Sequence, residues 1–199
     1  IIIMEDANLD LVLDGVLWGA FGTTGQRCTA ASRIIVHEKV FNKFQNMLVN
    51  KTRKLRLGNG MKKTTDVGPL INKAALEKSY KYVDIGKQEG AKLLCGGEGV
   101  KGKGFFFKPT IFTNVKPTSR LAQEEIFGPI VALIKVKNID EAIKVCNGVR
   151  YGLSSAIYTE NMQYAFRAIN ELEFGITYIN SSTIGAEVHL PFGGTKDTG

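Results

Sequence analysis

Apolar and polar positions along this chain alternate between two periods, one helical and one extended. Leu9, Val12, Leu13, Val16, Leu17 and Ala20 recur at helical spacing, and the pattern predicts a helix over residues 6–22 capped by Asp6. A loop at 23–31 then leads into a strand at 33–36, and a second helix is predicted over 41–55. After a loop at 58–69, Asn72 caps an amphipathic helix that runs to 89 and stops at Gly90. Strands follow at 92–95 and 105–112, separated by a glycine-rich turn at 96–104. The second half predicts a short helix at 119–123, a loop at 124–129 and a strand at 130–136. Beyond these come a helix at 140–147, a strand at 154–159, a helix at 161–172, a strand at 176–179 and a long loop over 180–199. Residues 1–4 are an apolar run of buried-strand type. Strands separated by helices give an α/β fold: a mainly parallel sheet with helices on both faces, connected by right-handed crossovers.

Composition narrows the class. At 199 residues with 44% hydrophobic content, the chain suffices for one domain with a sizeable core. The net charge of +7 raises the question of nucleic acid. The lysines, however, sit within helical patterns, as at 51–56 and 73–92, with no basic tail and no aromatic pair on a basic strand, so they read as solvated surface and no nucleic-acid partner is expected. The opening apolar run stops at Glu5 and Asp6, too short for a membrane span or a signal-peptide core. Cys28, Cys95 and Cys146 are widely spaced and form no CxxC pair, which argues against a disulfide framework or a metal site and for reduced thiols in a cytoplasmic setting. A start within a strand and an end of loop composition suggest a piece of a longer protein.

Chemistry concentrates in Phe21-Gly-Thr-Thr-Gly-Gln-Arg-Cys28-Thr-Ala, which places a cysteine on a short loop between a helix and a strand. Gly22 and Gly25 allow close backbone approach, and amides pointing at the sulfur would favour a thiolate. On composition alone, Cys28 is equally a nucleophile or a small apolar residue filling a gap. A cysteine hydrolase would need a histidine base. Of the two histidines, His37 follows a strand and is expected to face solvent, and His189 lies in the late loop, so a cysteine–histidine pair is a weak reading. Cys95, in an apolar strand, and Cys146, on a helix face, read as packing residues.

Four motifs carry a resemblance. Gly25-Gln-Arg-Cys28 resembles the nucleophile motif of the NAD(P)-dependent aldehyde dehydrogenase superfamily, and Glu124-Glu-Ile-Phe-Gly-Pro129 resembles its cofactor-contact motif. Tyr151-Gly-Leu-Ser154 and Pro191-Phe-Gly-Gly194 are similar to two further signatures, in the family's order, and the likeness covers essentially the whole chain. The resemblance implies that Cys28 attacks an aldehyde carbonyl to give a thiohemiacetal and then, after hydride transfer to NAD or NADP, a thioester that water hydrolyses to the carboxylic acid. It implies that Glu125 hydrogen-bonds the nicotinamide ribose and that Phe127 contacts the nicotinamide. Phe192 and Ile184 would line the aldehyde pocket, Trp18 could form its wall, and Arg27 and Thr29, beside the nucleophile, could touch substrate. Asn180 could orient the active-site loop, with an ordinary strand-ending role nearly as good.

The family's base glutamate, its oxyanion-hole asparagine and its dinucleotide-binding domain belong upstream, and its association strand downstream. The resemblance therefore implies a catalytic (nucleophile) domain over 1–199 that is silent alone and that works with an N-terminal dinucleotide-binding domain, in a homo-oligomer. Residues 185–192 are similar to the loop of members acting on semialdehydes and sugar-derived aldehydes, where His189 or Arg27 would meet a carboxylate or hydroxyl. Two alternatives stay open: an acylating relative that resolves the thioester with coenzyme A, and a non-catalytic structural or binding member.

Overall fold

The computed structural model describes residues 1–198. Its centre is a seven-stranded sheet in the order β3-β4-β5-β2-β1-β7-β8. The strands are β1 (Ile2–Ile3), β2 (Arg33–His37), β3 (Lys92–Cys95), β4 (Thr110–Thr113), β5 (Ile130–Val136), β7 (Ser154–Tyr158) and β8 (Ile176–Ile179). Every pairing in it is parallel except β3 with β4, so one antiparallel strand closes one edge. β1 is only two residues long yet lies between β2 and β7, with Ile2 opposite Ile35 on one side and Ile157 on the other.

Among the described residues six helices cover the sheet: α1 (Leu9–Phe21), α2 (Glu38–Thr52), α3 (Lys73–Gln88), α4 (Arg120–Gln123), α5 (Ile139–Asn147) and α6 (Met162–Glu171). Successive strand residues point to opposite faces, and this splits the apolar residues into two cores. Ile2, Ile35 and Ile134 face the side of α3, α5 and α6, while Ile3, Ile34 and Leu133 face that of α1 and α2. β5 is buried at every position but Lys135, the continuous apolar run expected of a strand covered on both faces. The expected α/β class with helices on both faces is the observed one.

Local departures from the sequence reading have physical causes. α1 is capped by Asn8, whose Oδ1 accepts from the amides of Asp10 and Leu11. Asp6 is drawn away to the segment that follows β7, where its carboxylate accepts from Thr159 Oγ1 and the Glu160 amide. α2 begins three residues earlier than expected because His37 caps it, its Nδ1 accepting from the Lys39 amide. His37 is therefore buried rather than solvent-facing, with Nε2 3.5 Å from Glu5. The aromatic run at 105–112 yields a strand only from Thr110, since Phe107 plugs the core beside Tyr80 while making a single bridge to Gly99. The late loop is not wholly irregular: β9 (Thr195–Lys196) pairs antiparallel with β6 (Tyr151–Gly152).

Candidate active site

After α1 the chain turns through residues 22–32 before entering β2. Thr24 and Gly25 both take left-handed backbone, with φ of 59° and 67°. Thr24 is held there by its Oγ1, which donates to the Gly68 carbonyl at 3.1 Å. Gln26 adds a second tie, its amide nitrogen donating to the Pro69 carbonyl and its oxygen accepting from the Ile71 amide. At Gly25 a Cβ would run into the carbonyl of Gly128, so the first and second motifs meet backbone to backbone. Cys28 stands exposed on this fixed loop, with Thr29 buried behind it.

The second motif is a loop in which Ile126 is buried while Glu125 and Phe127 on either side of it are exposed. Phe127 has φ 55°, a left-handed conformation uncommon for an aromatic residue. Lys78 of α3 donates from Nζ to the Glu125 carbonyl at 2.8 Å. Glu125 retains solvent exposure as a residue, but crowding of its carboxyl by surrounding protein raises the pKa, opposed by the nearby Lys78 charge. Its neighbour Glu124 lies in the opposite environment. Arg120 first and Tyr82 second hydrogen-bond its carboxylate and hold its pKa down at about 2.

A cavity of about 260 Å³ joins the two loops, and Cys28, Glu125 and Phe127 all line it. The third motif contributes Tyr151, Leu153 and Ser154 to the same walls. Deeper in, Arg33 spans to the end of α5, donating to the carbonyls of Val145 and Cys146. Cys146 is buried and also lines the cavity, whereas Cys95, half-buried in β3, does not.

The remaining sequence-derived residues fall elsewhere. Trp18 is 53% exposed and lies against Gly22 rather than forming a wall of this cavity. Arg27 and Phe192 are exposed, Thr29 and Ile184 buried, and none of the four lines it. Thr183, next to Ile184, does line it, a residue the sequence did not single out. Asn180 has φ 51° and clamps Thr159, accepting from its amide and donating to its carbonyl, so it joins the ends of β7 and β8. His189 is exposed on the late loop. The fourth motif packs at Gly175, where a Cβ would strike the Gly193 carbonyl, and then continues into β9 beside the third motif. Lys78 and Tyr82 also escaped the sequence reading, and Gly128 entered it only as part of the second motif; the i, i+4 spacing of Lys78 and Tyr82 put both on one face of α3, but nothing local named their partners. Among the described residues no group of three or more His, Cys, Asp or Glu side chains is arranged to hold a metal ion, and no helix is long and apolar enough to cross a membrane.

The model of the aldehyde dehydrogenase family matches residues 1–199. This chain belongs to the aldehyde dehydrogenase family. Among curated aldehyde dehydrogenase relatives, it is 42% identical to the alpha-ketoglutaric semialdehyde dehydrogenase of Bacillus subtilis, over all of this chain and 41% of that protein. It is 40% identical to the betaine aldehyde dehydrogenase of Mesorhizobium japonicum, again over all of this chain and 42% of the relative. Among solved structures, a 1-pyrroline-5-carboxylate dehydrogenase from Thermus with bound NAD superimposes with a TM-score of 0.94 at 37% identity, covering 98% of this chain and 38% of that one. Betaine aldehyde dehydrogenase from Staphylococcus aureus in complex with NAD+ gives 0.95 at 36% identity, covering 98% of this chain and 39% of that one. The chain thus spans about two fifths of the length of these aldehyde dehydrogenases.

Proposed function

We propose that this chain supplies the nucleophile and the nicotinamide-facing wall of an NAD(P)-dependent aldehyde dehydrogenase that oxidises an aldehyde to a carboxylic acid. The observation that carries this reading is the convergence of Cys28, Glu125 and Phe127 on one cavity, with the loops that bear them interlocked at Gly25 and Gly128.

The residues fit the nicotinamide end of a dinucleotide. Glu125 offers a carboxylate that makes no ion pair among the described residues, and Phe127 offers a ring held outward by its backbone. NAD or NADP, when bound, supplies the hydride acceptor. The chain's own part is addition and release at sulfur. Cys28 Sγ, its proton passed to water, forms a bond to the aldehyde carbon, and the carbonyl electron pair moves to oxygen as an oxyanion, which the backbone N–H of Cys28 would meet. Loss of hydride from that carbon re-forms the carbonyl as a thioester; water then adds, the C–S bond breaks, and the acid leaves with the thiol restored. Glu125 and Phe127 orient and exclude water rather than exchange protons with substrate.

Support for the substrate class comes from residues 185–192 and from the semialdehyde dehydrogenase relative, which favour a semialdehyde or sugar-derived aldehyde. The partners consistent with this reading are an aldehyde, a dinucleotide-binding domain of the same protein and further copies in a homo-oligomer, within the cytoplasm. The test is Cys28→Ala in the full-length protein that carries this chain. Aldehyde-dependent reduction of NAD and NADP is expected to vanish while dinucleotide binding persists, and retained turnover would remove Cys28 from the nucleophile role.

A further inference from the structure

The two glutamates of the second motif share a short loop but lie in opposed surroundings. Both line the cavity, but the Glu125 carboxyl makes no ion pair among the described residues. Glu124 reaches toward α3, where the Tyr82 hydroxyl donates to its Oε2 at 2.7 Å. The Arg120 guanidinium, one turn before it, grips the same carboxylate through two N–H donors, at 2.8 and 3.0 Å. Arg120 is itself anchored, since its amide donates to the Glu89 carboxylate at the end of α3. Lys78, one turn before Tyr82, donates to the carbonyl of Glu125 and lies 5.9 Å from the Tyr82 ring centroid. Ser79 of the same helix stands against Gly128, where a Cβ would come within 3.0 Å of its hydroxyl. A single helix therefore touches the loop before, at and after the cavity-facing pair. The loop needs such support, because Phe127 sits in a strained left-handed conformation that its own residue type does not favour.

We propose that Tyr82 and Arg120, acting through Glu124, are positioning residues that fix Glu125 and Phe127 against the nicotinamide end of the bound dinucleotide. This rests on the cofactor role given above to Glu125. The Tyr82–Glu124–Arg120 contacts are polar, directional and multiply satisfied, so they set the loop's register as apolar packing of Ile126 alone does not. Removing the Tyr82 hydroxyl leaves the ring to pack and takes away one charge-assisted hydrogen bond.

The experiment uses the full-length protein and follows two quantities: the dissociation constants of NAD and NADP, and the rate at which iodoacetamide labels Cys28. Tyr82→Phe, which removes one charge-assisted bond, and Arg120→Gln, which removes the two-donor grip on Glu124, are each expected to raise the dissociation constant of the preferred dinucleotide on the order of tenfold. Labelling should stay near the wild-type rate. Glu124→Gln keeps an acceptor for Tyr82 and should fall between the wild type and Glu124→Ala. Parallel losses in dinucleotide binding and Cys28 labelling would mean general loosening of the site and would overturn the positioning role. So would unchanged binding in Tyr82→Phe and Arg120→Gln when Glu125→Ala weakens it, an outcome that leaves the cofactor reading standing. If Glu125→Ala itself leaves dinucleotide binding intact, the cofactor reading falls and the positioning role falls with it.

Discussion

Phe127 lines the cavity from a backbone held at φ 55°, and that conformation costs roughly 1–3 kcal/mol for a residue other than glycine. Asn tolerates left-handed backbone far better than Phe. Phe127→Asn is therefore expected to leave thermal stability equal or slightly raised while slowing NAD(P)-dependent oxidation, measured as melting temperature beside the hydride-transfer rate. A fall in melting temperature of several degrees would show that the ring contributes to packing rather than to the cavity. Gly25 gives the reverse case. Gly25→Ala must both strain the backbone and displace the Gly128 carbonyl, so stability should fall by at least the roughly 1–2 kcal/mol of left-handed strain, with loss of Cys28 labelling selectivity. Unchanged denaturant midpoints would refute the interlock. Cys28, Glu125 and Phe127 were legible in the sequence because each sits inside a contiguous motif. Thr183 was not, because its place in the cavity depends on how the late loop lies across α1, where Gly19 is close to both Ser182 and Thr183.

At the scale of elements, the alternation of strand and helix was readable because apolar periodicity is a local signal. Capping was less so. Asp6 and Asn8 are both good cap residues two positions apart, and the choice between them is made by Thr159, whose hydroxyl claims Asp6 from more than 150 residues away. Asn8→Ala should cost about 1 kcal/mol in equilibrium unfolding, the usual effect of a lost N-cap. Asp6→Ala should cost more, since it leaves the buried Thr159 hydroxyl and the Glu160 amide without their acceptor. Equal effects would show that the long-range tie carries no extra weight. β9 escaped notice for a similar reason: two residues carry no period, and only the chain brought beside them by Tyr151 and Gly152 makes them a strand.

Across the whole molecule, two carboxylates report how folding depends on acid. Arg120 and Tyr82 hold Glu124 at about 2, below an ordinary value of 4.5. Arg56 likewise holds Asp66 at about 2, below 3.8. Both folded-state values are depressed, so each group contributes stability that is fully present above its ordinary value and lost as pH falls toward about 2. Chemical denaturation between pH 6 and roughly pH 2.5 should show that decline, and Tyr82→Phe should make it shallower. A decline of identical steepness in the variant would remove Glu124 as a contributor. Function at this scale is also testable. Residues 1–199 produced alone are expected to give no aldehyde-dependent reduction of NAD or NADP, because on the proposed reading Glu125 is committed to the cofactor, Glu124 is bonded to Arg120 and Tyr82, and the chain spans about two fifths of its relatives' length. Robust turnover would overturn that assignment of roles.

The two-residue strand at the middle of the sheet has a kinetic consequence. Ile2 and Ile3 are wholly buried and pair with β2 on one side and with Ile157 and Tyr158 on the other. The nearer contact closes a loop of some thirty residues, but the farther one requires most of the chain to be in place, and such non-local closure slows folding. Within the sheet, the ladder between its two halves runs through this short segment, while α5 bridges them on one face by packing against β2 and α6. The segment's pairing is therefore expected late in folding. Trimming it with Ile2→Ala should remove about 2–5 kcal/mol of stability and act chiefly on the unfolding rate, leaving early refolding phases nearly unaltered.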